Sequence, residues 1–317
     1  MASYPQIDLK NVETIPIRRR KSKVKTGSFA KVFDPARGSF TEFIQSLPRI
    51  LVAEDARRFV DDVAKAARRG KPVIAMIGAH VIKVGLSPLF VDLIERKILT
   101  CVAMNSAAAI HDVETAMWGK TSEDVEQNIA DGTFGMSKET GDFINGTLRK
   151  AMNAGDEGYG EALGRELQKA PKKKMSILAA CYRHNVPVTV HAAIGTDIIH
   201  QQPTMDGAAT GELSFRDFKV LCHVMKDLRG GGVVMNIGSA VLLPEVFLKA
   251  LTVARNLGFR AQGFTTANFD MNRHYRPYMN VVHRPTQQGG TGYMFTGHHE
   301  IMIPLVFAMI KDRMRKI

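Results

Sequence analysis

The chain has few cysteines and no long apolar run, and both absences exclude whole classes of protein. Its three cysteines, Cys101, Cys181 and Cys222, are widely spaced and odd in number. Neither a disulfide framework nor a CxxC metal site is therefore predicted. The longest apolar stretches, such as 73–78 and 186–193, fall well short of the ~20 residues that a membrane helix requires. With no apolar signal core near the N-terminus, we expect a cytoplasmic protein that has no membrane partner.

The sequence also lacks the signatures of a nucleic-acid-binding protein, although its formal net charge is +12. The densest basic run is 18–25, and no aromatic side chains interleave with its charges. No helix-turn-helix, zinc-finger or RNA-recognition signature follows it. Residues 1–39 contain three prolines and little apolar periodicity. We interpret them as an extended basic arm that is solvated or packs on a neighbouring subunit, and a nucleic-acid partner is not favoured.

Apolar periodicity begins at Phe40 and predicts a single α/β domain over residues 40–317. Spacings of three and four predict amphipathic helices up to Gly70. Continuous apolar runs then predict strands at 71–78, 98–104, 186–192, 231–237 and 260–266, with a last strand near 293–296 and a helix over 301–316. Such runs, separated by helical segments, predict a doubly wound, mostly parallel, Rossmann-like sheet with helices on both faces. Polar residues 119–174 are interpreted as an insertion or cap.

Small and polar residues follow these strands, where parallel sheets bind their ligands. The segments are Gly78-Ala79-His80, Asn105–Asp112, His191 with Gly195-Thr196-Asp197, Asn236–Ser239, and Thr265–Asp270. Small residues let a ligand approach closely, and Asn, Ser, Thr and Asp hydrogen-bond ribose or phosphate. We therefore predict a nucleotide site; the alternative is that these residues only form turns and helix caps. No GxGxxG fingerprint is present. The triplet Gly230–Gly232 precedes a strand, which also fits a flexible turn.

Several of these segments resemble the deoxyhypusine synthase family, in the same order along the chain. They are the end of the second strand into Ser106–Asp112, Asn185–Val188 with Gly195–Asp197, Gly230–Val234, and Thr265–Asp270. The resemblance covers about 73–306. It implies a homotetramer with NAD at the strand ends and active sites shared between subunits. The family takes hydride from spermidine, holds the aminobutyl group as an imine on a lysine, and passes it to a lysine of a translation factor.

The strand ends and the resemblance together give a predicted set of cofactor-binding residues. This set consists of Ser106, Ala107, Asp112, Asp197, Gly231, Gly232, Thr265, Thr266 and Asp270. His80 and His191 are candidate acid–base groups, because imidazole titrates near neutral pH. Arg284 is expected near the substrate, and Asn236 falls at or near the position of the family's substrate histidine.

One departure from the family concerns its nucleophilic lysine, which lies in a Ser-Trp-Gly-Lys segment after the Phe-Asp pair. This chain has Asn280-Val281-Val282-His283-Arg284-Pro285 there, and no lysine occurs between Leu251 and Phe307. A guanidinium stays protonated and does not form such imines, so Arg284 cannot substitute. The same window has only Asp270 and Glu300 as acids among several arginines and histidines. A polycation is therefore disfavoured, and we expect a neutral or anionic small-molecule substrate.

No metal site is predicted, because adjacent His298 and His299 before Glu300 fit a helix start better than a ligand set. Three functional hypotheses remain open. The first is an NAD-dependent enzyme acting on a small substrate other than a polyamine. The second is a non-catalytic binding or scaffolding protein on the same fold. The third is an aminobutyl transferase, of deoxyhypusine or homospermidine synthase type, with a relocated lysine such as Lys83.

Overall fold

The computed structural model describes residues 4–315 of the chain. These residues form two compact units, one up to Glu54 and one from Asp55 onward. The boundary predicted at Phe40 and the cap predicted at 119–174 stay predictions. Lys316, which was placed at the end of the last predicted helix, lies outside the described residues.

The helices of the described residues are short to medium in length, and from residue 73 onward one or more of them connect each strand to the next. They are α1 (Phe40–Ser46), α2 (Leu51–Arg68), α3 (Ala79–Lys83), α4 (Ser87–Glu95), α5 (Ser106–Trp118), α6 (Val125–Asp131), α7 (Lys138–Ala154), α8 (Tyr159–Glu166), α9 (Ile177–Arg183), α10 (Gly207–Met225), α11 (Leu242–Asn256), α12 (Tyr275–Pro277) and α13 (His299–Arg315). A short π-helix, Tyr278–His283, follows α12.

Six strands form one parallel sheet. They are β1 (Val73–Ile77), β2 (Cys101–Asn105), β3 (Val188–His191), β4 (Val233–Ile237), β5 (Thr265–Asp270) and β6 (Thr291–Thr296). The order across the sheet is β3-β2-β1-β4-β5-β6, and every pairing is parallel. This order is the doubly wound, Rossmann-like arrangement, in which the topology switches direction between β1 and β4. The predicted α/β fold class is confirmed.

The unit up to Glu54 has neither an α-helix nor a strand within residues 4–39. Helix α1 begins at a capping box: the Ser39 hydroxyl accepts the backbone N–H of Glu42 at 3.3 Å, and the Glu42 carboxylate accepts the N–H of Ser39 at 2.7 Å. The rings of Phe33 and Phe43 pack edge-on at 5.4 Å.

Both faces of the sheet are covered by apolar side chains. On one face, Ile74 of β1 and Val234 of β4 pack in a buried cluster with Phe247 and Leu251 of α11 and with α10. On the opposite face, Phe59 of α2 packs against Phe269 of β5, with ring centroids 5.5 Å apart. Burial on both faces explains why β1, β2 and β4 appear in the sequence as largely apolar runs, whereas β3 also contains buried Thr189 and His191.

The predicted position of the fifth strand, 260–266, is wrong. The strand is Thr265–Asp270, so the segment that was expected to follow a strand is itself the strand. Residues before it form a turn: Gly263 has a φ of +65°, and the Arg255 guanidinium holds the Ala261 carbonyl at 2.8 Å. Thr265 and Thr266 therefore lie where β5 begins, and Asp270 lies where it ends.

Side chains of α10 occupy the outer edge of β3. Asp217 accepts the N–H of Val190 at 2.6 Å. Ser214 donates to the Val190 carbonyl at 3.1 Å and accepts the N–H of Ala192 at 3.0 Å. Asp217 also accepts the N–H of Gly160 in α8, at 2.9 Å. These bonds satisfy the backbone groups that an edge strand otherwise leaves unpaired.

Candidate functional site

A cavity of about 670 Å³ opens beside the ends of β2 and β3. One wall is α5, which begins directly after β2. A second wall comes from residues 120–125 and 134–140, and a third from residues 196–198, while Lys83 lies at the rim. We call this space the α5 cavity. Its size falls within the range of ligand pockets, roughly 300–1,000 Å³.

The first polar group in the cavity wall is formed by Ser106 and Asp197. Ser106 is buried, and its hydroxyl donates to the Asp197 carboxylate. Asn105 caps α5 by accepting the N–H of Ala108 at 2.9 Å. The cap places Ser106 and Ala107 in the first turn, where the helix dipole is positive and unpaired N–H groups collect.

His200 supports the loop that carries Asp197. Its Nδ1 accepts the backbone N–H groups of Gly195 at 3.1 Å and Asp197 at 3.2 Å. Nδ1 is thus an acceptor, and the proton of the neutral ring is on Nε2, which lies 3.9 Å from Asp197 Oδ2. Burial lowers the pKa of His200 below its usual value, although the Asp197 carboxylate acts in the opposite direction.

A second polar network lies further along α5. Thr121 donates to Glu114 Oε2 at 2.5 Å, and Thr140 donates to Glu114 Oε1 at 3.0 Å. His111 Nδ1 lies 2.6 Å from the Thr121 hydroxyl oxygen. Burial alone would raise the pKa of Glu114, but the hydrogen bonds from Thr121 and Thr140 and the neighbouring His111 ring, 3.8 Å away, more than offset this and lower it. Glu114 is therefore an ionised carboxylate at neutral pH.

The remaining lining includes two cations, two exposed or half-buried aromatic rings and two further acids. They are Lys83, Lys120, Trp118, Phe134, Glu123 and Glu139. Glu123 is occupied by the loop itself, because its oxygens accept the Asn128 amide at 2.8 Å and the N–H of Gly135 at 2.9 Å. The cavity thus offers acceptors for hydroxyl groups, cations for phosphate and rings for stacking.

Three of the predicted cofactor residues meet at this cavity. Ala107 and Asp197 line it, and Ser106 is bonded to Asp197. Asp112, five residues beyond Ala107 on α5, is turned away into the protein. Its carboxylate accepts the Ser176 hydroxyl at 2.5 Å and the N–H groups of Ile177 at 2.9 Å and Leu178 at 3.1 Å. Asp112 therefore holds the start of α9, and burial raises its pKa to about 6.

His80 lies at the switch point between β1 and β4. Its ring is 5.4 Å from that of His299, whose Nε2 lies 3.1 Å from the Phe269 carbonyl oxygen. Burial, followed by the neighbouring His299, lowers the pKa of His80. Asp270 ends β5 in the same region, with an oxygen 3.8 Å from His274 Nε2 and a bond to the N–H of Asn272 at 3.1 Å.

His191 and Asn236 are both buried within the sheet. His191 Nε2 lies 3.0 Å from the Thr189 hydroxyl, and burial lowers the pKa of this histidine to about 4. Asn236 donates to the Ser239 carbonyl at 2.8 Å and to Asn268 Oδ1 at 2.7 Å, and its own Oδ1 has no partner among the residues described. Neither side chain lines the α5 cavity.

The other predicted residues lie toward the opposite edge of the sheet, where the strands begin. Gly231 and Thr265 line a second cavity of about 260 Å³ with Lys65 and Arg69, and Gly232 directly precedes β4. Thr266 is buried in β5. Arg284 donates to Asn280 Oδ1 at 2.7 Å. Six residues further along, Gly290 packs against the Phe264 carbonyl, which directly precedes β5. His80, His191 and Arg284 are therefore not brought together.

The Glu114 network was not predicted from the sequence. His111 and Glu114 lie one helical turn apart on α5, and this spacing directly after a strand was a usable signal. Thr121 and Thr140 lie in a region without apolar periodicity, and nothing in the sequence indicates that they converge on one carboxylate.

Within residues 4–315, no helix is long and apolar enough to cross a membrane. Nor does this part of the chain bring three His, Cys, Asp or Glu side chains together in a way that could hold a metal ion. His299 is buried and begins α13, and His298 lies 3.8 Å from Glu300.

Comparison with known proteins supports a shared fold. No protein-family model and no curated protein matches the sequence. A putative deoxyhypusine synthase from Entamoeba histolytica superposes with a TM-score of 0.53 at 11% identity, covering 88% of this chain and 96% of that one. A conserved putative LOR/SDH protein from Methanococcus maripaludis S2 gives a TM-score of 0.53 at 14% identity, covering 82% and 70%.

A third structure is a ternary complex of AgrE with ornithine and NAD+. It superposes with a TM-score of 0.51 at 12% identity and is covered over 34% of its length, so the present chain spans about a third of AgrE. Identities this low establish the fold alone. The predicted resemblance is confirmed at that level: the chain has an α/β fold of deoxyhypusine-synthase-like type.

Proposed function

We propose that the protein is an NAD-dependent enzyme that acts on a small, neutral, hydroxyl-bearing substrate in the α5 cavity. The observation that carries this proposal is the cavity itself, with Ser106, Ala107 and Asp197 at the end of β2 and the loop after β3. Ligands of doubly wound sheets collect beyond the carboxyl ends of strands, and this cavity opens there. The NAD-bound AgrE complex on a similar fold gives independent support.

The residues of the cavity fit a dinucleotide. Asp197 and Glu139 would accept ribose hydroxyls, and Lys83, Lys120 and the first turn of α5 would face phosphates. Trp118 and Phe134 offer surfaces for stacking a flat ring. When bound, NAD+ supplies a hydride acceptor, and the protein's own groups position the substrate and move its proton.

The charge of the cavity supports a neutral substrate over a polycation. Of its four carboxylates, Glu114 and Glu123 accept protein hydrogen bonds on both oxygens, Asp197 accepts one from Ser106, and Glu139 is exposed. The arginines and histidines between 273 and 298, from which an anionic substrate was also expected, do not line the cavity.

A homotetramer and a cytoplasmic location remain predictions. Native mass spectrometry of the purified protein tests the predicted homotetramer.

Titration calorimetry with NAD+, NADH, NADP+ and NADPH tests the proposal. We expect micromolar binding of NAD(H) by the purified protein and at least a tenfold weaker affinity in Asp197→Ala. Asp227→Ala, which removes an exposed carboxylate outside the cavity, is the matched control and should bind as the wild type does. Absence of heat with all four nucleotides, from protein whose thermal unfolding is normal, would contradict the proposal and favour a binding or scaffolding role.

A second candidate function has one observation in its favour. Lys83, the candidate for a relocated nucleophile, lies at the rim of the α5 cavity. An amine there could form the imine that aminobutyl transfer requires. Borohydride trapping after incubation with spermidine and NAD+, followed by peptide mass spectrometry, should then leave an adduct on Lys83. Lys150, an exposed lysine outside the cavity, serves as the internal control within the same digest.

A further inference from the structure

The donors and acceptors around Glu114 determine which ring nitrogen of His111 carries the proton. Ionised Glu114 can only accept, so the single proton of the Thr121 hydroxyl is directed to Glu114 Oε2, 2.5 Å away. The Thr121 oxygen is then free only to accept. Because His111 Nδ1 lies 2.6 Å from that oxygen, Nδ1 must carry a proton and donate it.

The other ring nitrogen of His111 is left available. The ring lines the α5 cavity, and across residues 4–315 its Nε2 makes no hydrogen bond. In a neutral ring with the proton on Nδ1, Nε2 carries the lone pair. The arrangement of carboxylate, hydroxyl and imidazole therefore orients one basic nitrogen and holds its tautomer, as an acid–base group requires.

We propose that His111 is the proton acceptor of the α5 cavity, and that Thr121 and Glu114 are its positioning residues. The inference rests on the proposed function for its reaction, but the tautomer it requires exists without any ligand. The group that it serves is a hydroxyl on a carbon that also carries a transferable hydride. The O–H bond breaks and its proton forms an N–H bond at Nε2, while the electron pair left on oxygen forms the second C–O bond as the C–H bond breaks and its hydride leaves for bound NAD+.

The charges that face His111 fit this role. Glu114 Oε2 lies 3.8 Å from Nδ1 and would stabilise the imidazolium that proton transfer creates. Glu123, Glu139 and Asp197 add negative charge around the cavity, while Lys83 and Lys120 oppose it. Thr140 keeps the second Glu114 oxygen occupied, which fixes the carboxylate in place.

Long-range proton–nitrogen NMR of the unliganded, ¹⁵N-histidine-labelled protein tests the tautomer directly. We expect the His111 signals of the wild type at high pH to report the Nδ1–H form. Thr121→Ser, which keeps the hydroxyl, should retain that form, whereas Thr121→Val should revert to the Nε2–H form that free histidine prefers. An Nε2–H tautomer in the wild type overturns the inference whether or not NAD binds.

Chemical modification gives a second readout that is independent of turnover. Diethyl pyrocarbonate acylates an unprotonated imidazole nitrogen, so His111 should be modified rapidly and protected by NADH or ADP-ribose. Thr121→Val should slow His111 modification at a fixed pH, because its Nε2 then carries the proton, and exposed His283 should react equally in every variant. If His111 stays unmodified while His283 reacts, its Nε2 is not available and the inference fails. If His111 reacts normally but NAD(H) does not bind, the proposed function fails alone.

Discussion

Gly78 and Gly238 lie so close together that a β-carbon on Gly78 would be 2.0 Å from the Gly238 carbonyl oxygen. These residues follow β1 and β4, the two central strands, and the N–H of Gly78 donates to the Ile237 carbonyl at 2.9 Å. The switch point of the sheet is thus closed by backbone packing. The α5 cavity lies instead beside β2 and β3.

Substitution Gly78→Ala should therefore destabilise the protein strongly, because the contact involves backbone on both sides and cannot be relieved by a rotamer change. We expect a loss of about 3 kcal/mol or more in the free energy of unfolding, measured by urea denaturation. Gly146→Ala in α7, where an added β-carbon meets nothing within 4 Å, is the control and should gain about 0.5–1 kcal/mol. Equal stability of the two variants would show that the central strands are further apart than described.

Asp217 makes stability depend on pH. Burial raises its pKa to about 8, while the hydrogen bonds from Val190 and Gly160 act in the opposite direction. An unfolded aspartate loses its proton near pH ~3.9. Between these two values the unfolded state binds fewer protons than the folded state, so the contribution of Asp217 to the free energy of unfolding decreases as pH rises.

Asp217→Asn should flatten this dependence, since an amide oxygen still accepts both N–H groups and carries no charge to bury. Asp217→Ala leaves those donors unpaired, which costs about 1–3 kcal/mol for each, at every pH. Urea denaturation at pH 5, 7 and 9 distinguishes the variants. A wild-type minus Asn difference that does not change between pH 5 and 9 would refute the raised pKa.

His191 should give the opposite slope at lower pH. Burial lowers its pKa to about 4, so His191 stays neutral in the folded protein at pH values where the unfolded chain, below pH ~6.5, binds a proton. Its contribution to stability is therefore lost as pH falls from about 6.5 to about 4. We expect His191→Gln to reduce this loss and the exposed control His283→Gln to leave it unchanged, as measured by thermal unfolding from pH 4 to pH 7.

Asp112 offers a test that separates a structural role from a cofactor role. Asp112→Ala leaves three donors at the start of α9 without an acceptor, at about 1–3 kcal/mol each. Asp206→Ala, which removes the cap of α10, should cost only about 1 kcal/mol. At a temperature where both variants are folded, NADH affinity should match the wild type; a specific loss in Asp112→Ala would instead support its predicted place among the cofactor-binding residues.

The sequence predicted most of the fold because β1, β2 and β4 are buried on both faces and are apolar over most of their length, and because valines mark β3 on either side of Thr189. It misplaced β5 because Thr266 and Asn268 are polar yet buried within that strand. Their side chains lie on the α11 face, and Asn268 accepts a bond from Asn236. Buried polar residues remove the hydrophobic signal that marks a strand.

The error in the position of β5 explains why some of the predicted cofactor-binding residues lie at opposite ends of the sheet. Ser106, Ala107 and Asp197 follow strands whose ends were predicted well, and they do meet. Thr265 was assigned to the end of a strand but lies where β5 begins, and Gly231, which was predicted to precede a strand, does lie before β4. Glu114, Thr121 and Thr140 could not be grouped from the sequence, since their contact depends on how residues 119–140 fold back over α5.

The bonds from α10 to β3 also limit how copies of this chain can associate. Along that strand, Ser214 and Asp217 already occupy the groups of Val190 and Ala192 through which a foreign strand would have to pair. The sheet therefore cannot be extended from one molecule into the next on this side, and neither intermolecular β-pairing nor fibril-like growth can begin there.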